Sequence, residues 1–217
     1  MSAVLLKAIL AYLLGGLVGS LLIRRVTGGV DIRTLGSGNA GATNAMRILG
    51  RKVAVLVLLI DLAKGWIATG YLAPWGIPGI AQTPGGQEWS VPVCGLAVML
   101  GHVYPVWYGF RGGKGFATLI GAVLGISVLQ LVHMLLVWLV VVILTGYVGL
   151  ASIVSAAGLA VAVAVGHQAP RTPLVTFAVL STLLMAFTHR SNIQRMLAGT
   201  ESRAKKLWLL GWRRGAP

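Results

Sequence analysis

Residues 116–147 read FATLIGAVLGISVLQLVHMLLVWLVVVILTGY, about 32 residues without a single Asp, Glu, Lys or Arg. A helix rises about 1.5 Å per residue, so one straight helix over this run would reach about 48 Å. The hydrocarbon core of a bilayer is only about 30 Å thick. The run therefore reads as two spans, turning near Gln130–His133. Working outward, Ala3–Ile23, Val53–Ala73, Val91–Tyr108, Ile153–Gly166 and Leu174–Phe187 each read as one more span. The total is seven. Charge checks that number. Arg24, Arg25, Arg33, Arg47, Arg51 and Lys52 follow the first span, and Arg111 and Lys114 follow the third. Arg190, Arg195, Arg203, Lys205, Lys206, Arg213 and Arg214 follow the last. Seven spans put all of these on one side, leaving Lys7 and Arg171 opposite and Lys64 inside a span. Six would put the basic tail outside, against the positive-inside rule.

The expected architecture is an all-α integral membrane protein with seven transmembrane helices, amino terminus outside and carboxyl terminus cytoplasmic. Residues 1–217 form a single polytopic domain, with cytoplasmic segments at 24–52, 109–115 and 188–217. Composition agrees: 57% of residues are hydrophobic, 10% are charged, and the mean hydropathy is +0.86. A soluble domain carries about 25% charged residues. The net charge of +14 raises nucleic acid as a partner. Its distribution between apolar runs, with no continuous basic face, argues against one. The lone Cys94 reads as a packing residue. Ala3–Ile23, followed by Arg24 and Arg25, suits a retained span better than a cleaved leader. Pro74–Ser90, rich in Gly and Pro and lacking Lys and Arg, reads as an external loop. The pairs Gly15/Gly19 and Gly121/Gly125 have the spacing that lets helices approach closely.

Polar residues concentrate on the cytoplasmic side. The first loop contains Ser37-Gly38-Asn39-Ala40-Gly41-Ala42-Thr43-Asn44, then Arg47. Glycines bring backbone amides close to a ligand, and the hydroxyl and amide side chains bond oxygens of an anion. A helix beginning near Ala42 would aim its free N–H groups at the same point, and Arg47 adds a bidentate fork. The second loop, Phe110-Arg111-Gly112-Gly113-Lys114-Gly115, reads as a glycine cradle around one point charge. It is not a Walker A loop, because Tyr108 and Gly115 stand where Gly and Ser or Thr are required. The tail opens with His189, Asn192 and Arg195 and carries one acid, Glu201, read chiefly as neutralising arginines. His189 can move a proton near neutral pH and Asn192 can orient an oxygen. Asp61 and Lys64, at i and i+3 within span two, can pair on one face, as structural partners or beside a site. His133 and His167 fall near the external side. His102 lies near the internal end of span three, where it could position the neighbouring loop.

Together these segments resemble the bacterial acyl-phosphate:glycerol-3-phosphate acyltransferases, the PlsY family. The resemblance rests on Ser37–Asn44 with Arg47, and on Gly101-His102-Val103-Tyr104-Pro105 through Phe110 and Gly112–Gly115 to Ala117-Thr118. It rests also on His189, Asn192-Ile193, Arg195, Gly199 and Glu201, and on Asp61–Gly65 in span two. The chain departs from the family pattern at Gly146 and Gly149, where a basic residue and Ser are expected; Ser152 remains as a hydroxyl.

The resemblance implies a bacterial inner-membrane enzyme whose partners are acyl phosphate, glycerol 3-phosphate and membrane lipid. It implies acyl transfer to the 1-hydroxyl, giving lysophosphatidate and inorganic phosphate, with the site at the cytoplasmic face. The catalytic candidates are His189, Asn192 and Ser37. The phosphate-binding candidates are Arg47, Lys114, Gly38, Asn39, Gly41, Thr43, Asn44, Gly112, Gly113 and Ser152. His102, Asp61, Lys64 and Glu201 are supporting residues. No His has an Asp five residues on, so direct transfer is favoured over an acyl-enzyme on Ser37. No metal cluster or nucleotide motif is present, and no metal or cofactor is expected. The competing class is a carrier or channel for organic phosphates, which would need polar residues along the spans.

Overall fold

The computed structural model describes residues 2–80, 85–166, 170–204 and 207–209. His167, Lys205, Lys206, Arg213 and Arg214 lie outside them. The described residues are helical, with no strand: α1 Ala3–Gly15, α2 Gly19–Thr27, α3 Ala42–Ile48, α4 Arg51–Ile67 and α5 Gly86–Val103, then α6 Phe116–Ile126, α7 Val128–Thr145, α8 Val148–Val165, α9 Arg171–Thr188 and α10 Arg190–Leu197. They fall into two compact units, Met1–Val128 and Leu129–Pro217.

The first apolar run is not one straight helix. It breaks at residues 16–18, and α1 and α2 meet at a bend of 55°. A break inside an apolar layer strands backbone carbonyls and amides that no water can satisfy. The charged pair of α4 satisfies them. Lys64 Nζ donates to the carbonyls of Gly15 (2.8 Å) and Leu17 (3.1 Å), and the Gly19 N–H donates to Asp61 Oδ1 (3.1 Å). The cation meets the carboxyl end of α1 and the anion the amino end of α2, which matches the sign of each helix dipole. Lys64 and Asp61 pair with each other at 3.0 Å and are 3% and 1% exposed.

Small residues let the first unit's helices touch backbone to backbone. A Cβ on Gly15 would fall on the Val98 backbone, and one on Gly101 on the Tyr12 carbonyl. Gly121 presses on Leu62 and Gly125 on Thr69, so both glycine pairs sit at close helix contacts. Cys94 is buried in a cluster with Ala11, Ala68, Ala73 and Val98, the packing role expected of it. Past Ile67 the helix widens into a π segment, Ala68–Leu72. Its end is held by the fully buried Lys7, whose Nζ donates to the Ala73 carbonyl at 2.6 Å.

Several expected boundaries move. The long apolar run breaks at Ser127, in extended conformation, and not near Gln130–His133. Gln130 and His133 lie inside α7, where an apolar backbone without Pro or Gly continues the helix. The loop expected up to Ser90 is already helical from Gly86, and the span expected from Ile153 starts at Val148. Among the described residues five helical stretches are long and apolar enough to cross a membrane, or six if the bent α1–α2 pair is one span. The remaining apolar helix, α6, has 11 residues and reaches only about 16 Å. In the second unit α8 packs on α9 with α10 against both, and α7 is the most exposed span, 22% buried. Its outward Val128, Leu129, Leu136 and Val140 suit lipid.

Candidate active site

The first loop is shaped by one carboxamide. Asn44, buried on α3, accepts the Ser37 N–H at 3.0 Å and donates to the carbonyls of Ile32 (2.8 Å) and Leu35 (3.0 Å). Its side chain therefore holds the loop, and an anion bound there would have to displace the fold's own bonds. Gly36 and Gly38 turn the chain with φ of +60° and +70°. The helix begins at Ala42, as expected. Ser20 Oγ pins the far side of the loop by donating to the Ala40 carbonyl at 2.5 Å. Ser37, Thr43 and Arg47 are exposed, and Asn39 and Gly41 are half-buried. Among the described residues no hydrogen bond takes the amides of Asn39, Gly41, Ala42 or Thr43. Amides, two hydroxyls and a guanidinium thus stand unengaged at one loop, a set suited to phosphate oxygens.

The second loop differs from the cradle expected of it. The Gly112 N–H donates to the Val103 carbonyl (3.0 Å) and the Gly113 N–H to the His102 carbonyl (3.1 Å). These two amides are committed to the end of α5 and do not face a ligand. The glycines serve close approach: a Cβ on Gly112 would fall on the His102 carbonyl, and one on Gly113 inside the His102 ring. His102 is 2% exposed, with Nδ1 2.8 Å from Lys64 Nζ and 3.4 Å from Asp61 Oδ1. With Lys64 protonated, Nδ1 accepts, and the ring proton sits on Nε2 beside Gly113. The same ion pair that satisfies the α1–α2 break therefore also holds the ring under the second loop. Lys114 follows, half-buried.

Arg33 was not among the residues singled out from sequence, yet it joins the two loops. Asp31 caps the short 3₁₀ turn Ile32–Thr34 by accepting the Arg33 N–H at 3.0 Å. Its carboxylate also takes Arg33 Nε (3.0 and 3.2 Å) and Nη2 (2.7 Å). Nη1 then reaches the carbonyls of Tyr108 (3.1 Å) and Arg111 (2.8 Å). Arg24 adds a second ion pair to Asp31 at 3.0 Å. The Arg33 bonds hold the Asp31 carboxyl down at about 2, against burial, and Asp31 raises the Arg33 guanidinium. The Asp-Ile-Arg spacing hints at the cap. Its distant partners are backbone carbonyls, which carry no sequence signature.

The second unit holds its own cluster. His189 is 5% exposed, and its Nδ1 lies 2.9 Å from the Met185 carbonyl. A carbonyl only accepts, so Nδ1 carries a proton and donates to it. Asn192 Nδ2 donates to Glu201 Oε1 (2.6 Å), and Arg195 Nε donates to Oε2 (2.5 Å). Glu201 thus neutralises Arg195 and fixes Nδ2 as the donor end of the Asn192 amide, with Oδ1 as its acceptor end. Gly149 lies against this amide: a Cβ there would stand 3.0 Å from Asn192 Cγ and Nδ2. Gly146, at φ +75°, makes room for Arg203 and Trp208 of the tail. Ser152 is buried and its hydroxyl donates to the Val148 carbonyl at 2.9 Å, which gives it a place in the helix packing.

The order of these motifs has counterparts in known proteins. A family model described as glycerol-3-phosphate acyltransferase matches residues 5–199. The chain belongs to this family. The glycerol-3-phosphate acyltransferase of Geotalea daltonii is 43% identical over 196 residues, covering 90% of this chain and 95% of that protein. That of Sinorhizobium fredii is 38% identical over 203 residues, covering 93% and 92%. Among solved structures, PlsY, an integral membrane glycerol 3-phosphate acyltransferase, resembles the chain in two crystal structures. Its glycerol 3-phosphate form has a TM-score of 0.79 at 36% identity, covering 93% of this chain and 96% of that one. Its lysophosphatidic acid form has a TM-score of 0.77 at 35% identity, covering 93% and 95%. The chain is thus an integral membrane acyltransferase of the PlsY family, with bacterial relatives.

Proposed function

We propose that the chain transfers an acyl group from acyl phosphate to the 1-hydroxyl of glycerol 3-phosphate, releasing lysophosphatidate and inorganic phosphate. The observation that carries this reading is the Ser37–Arg47 loop, where amides, hydroxyls and a guanidinium stand unengaged while neighbouring polar groups hold the fold. The names of the similar enzymes and the glycerol 3-phosphate and lysophosphatidic acid forms of PlsY support the acceptor and the product.

In the proposed reaction the glycerol hydroxyl oxygen attacks the acyl carbonyl carbon, and the carbon–oxygen bond to phosphate breaks. The hydroxyl proton passes to His189 Nε2 or to a phosphate oxygen. Phosphate is already a good leaving group, so the protein chiefly positions the reactants and neutralises charge. Ser37, Asn39, Thr43, Arg47 and Lys114 bind phosphate, with Gly38 and Gly41 shaping the loop. His189 and Asn192 orient the hydroxyl, with Glu201 supporting Asn192. Asp61, Lys64, His102, Gly112 and Gly113 hold the second loop, and Asn44 holds the first.

The chain acts as one functional membrane domain of seven crossings in the bacterial inner membrane, with its amino terminus outside and segments 24–52, 109–115 and 188–217 cytoplasmic. The asymmetry of Lys and Arg supports this orientation. The test is incubation of purified protein with acyl phosphate and glycerol 3-phosphate. Phosphate release that requires both substrates is expected. Uptake of glycerol 3-phosphate into vesicles without lysophosphatidate would select a carrier instead.

A further inference from the structure

We propose that Arg33 is a positioning residue that fixes the spacing of the two phosphate-binding loops. A guanidinium has five N–H donors. Four are committed within the protein: Nε and one on Nη2 to Asp31, and both on Nη1 to the carbonyls of Tyr108 and Arg111. With its side chain only 18% exposed, Arg33 is tied into the loops and has little left with which to take a substrate oxygen. Arg47, by contrast, is exposed and takes no part in the hydrogen bonds or ion pairs of the described residues.

The clamp grips the second loop at its most constrained point. Tyr108 and Arg111 flank Gly109 and Phe110, which follow one another in the left-handed region at φ +65° and +57°. Phe110 has a Cβ, no preference for that conformation, and a side chain 57% exposed, so its own packing does not hold it there. The Phe110 N–H to the Pro105 carbonyl (2.9 Å) closes the loop from one side, and Nη1 of Arg33 closes it from the other. At the opposite end Arg33 belongs to the turn that leads directly into Ser37, and that turn is capped by the same Asp31 carboxylate. One planar fork thus sets how far the Ser37 loop lies from the loop carrying Lys114. A lysine ammonium has the charge but not the geometry to hold Asp31 and two diverging carbonyls together.

This inference rests on the acyltransferase reading for its kinetic consequence and on geometry alone for its structural one, so two measurements separate them. Arg33→Lys, with Arg25→Lys as control, is assayed for transfer alongside the wild type. Loss of preorganisation lowers kcat about 10- to 100-fold, while KM for either substrate moves less than about threefold. Arg25→Lys is expected to behave as wild type. In a Cys94→Ser background, spin labels at Leu35→Cys and Val106→Cys report the spacing directly. The distance distribution is expected to be narrow while Arg33 is present and broad once Arg33→Lys is added. Unaltered kcat with an unaltered distribution overturns the clamp. A raised KM with intact kcat overturns it in favour of a direct phosphate ligand. If the wild type transfers no acyl group the acyltransferase reading falls, and the distance distributions still decide the clamp.

Discussion

In the proposed reaction charge neutralisation at the second loop is assigned to Lys114, because the amides of Gly112 and Gly113 are turned away into α5. Lys114→Ala should abolish phosphate release dependent on both substrates while shifting Tm by less than about 4 °C. Near-normal turnover of the purified variant would remove Lys114 from the site. Asp31 gives a second test, through pH. Its carboxyl is held at about 2, below its ordinary 3.8, so the folded state favours the charged form. Its contribution to stability is full above about 3.8 and disappears as pH falls through about 2. The Tm difference between wild type and Asp31→Asn should therefore be constant from pH 7 to 5, narrow below about pH 4, and close near pH 2. A difference that stays constant down to pH 2 would show that the carboxylate charge contributes nothing to the clamp.

At the scale of elements, the bent α1–α2 pair depends on two side chains from another helix. Lys64→Met strands the Gly15 and Leu17 carbonyls and leaves Asp61 charged without its cation. Breaking one half of a buried ion pair costs about 3–5 kcal/mol. The double variant Asp61→Asn, Lys64→Met should cost less than the sum of the two single changes, because the second change removes a charge the first had orphaned. Thermal unfolding in detergent measures both; strict additivity would mean that the two residues do not act as a pair. Neighbouring α5 gives the physical reason that the second loop differs from an anion cradle. Gly112 and Gly113 in sequence look like a flexible anion cradle, yet their missing side chains accommodate His102. Glycine signals close approach, but the approaching group is named only by the fold.

For the whole molecule, the proposed topology of seven crossings requires Arg111 and Arg171 to face opposite sides of the membrane. Single cysteines at Arg111 and at Arg171, in a Cys94→Ser background, should react with a membrane-impermeant maleimide from opposite sides of sealed vesicles. Labelling of both from one side would overturn the orientation and with it the short α6 as a crossing. Much of this was legible in the chain itself. Helix type, the apolar runs and the start of α3 follow from local composition and from glycine placement, which act over a few residues and need no partner. The membrane class follows for the same reason, and the family motifs were readable as ordered residue types. What only the tertiary structure decided are the long-range bonds: Lys64 to the carbonyls of a broken helix, Asn44 to the loop it encloses, Arg33 to a loop some 75 residues away. Their acceptors are backbone carbonyls, identical at every residue. Nothing in the order of side chains marks which carbonyl will be left without a partner until the helices have packed.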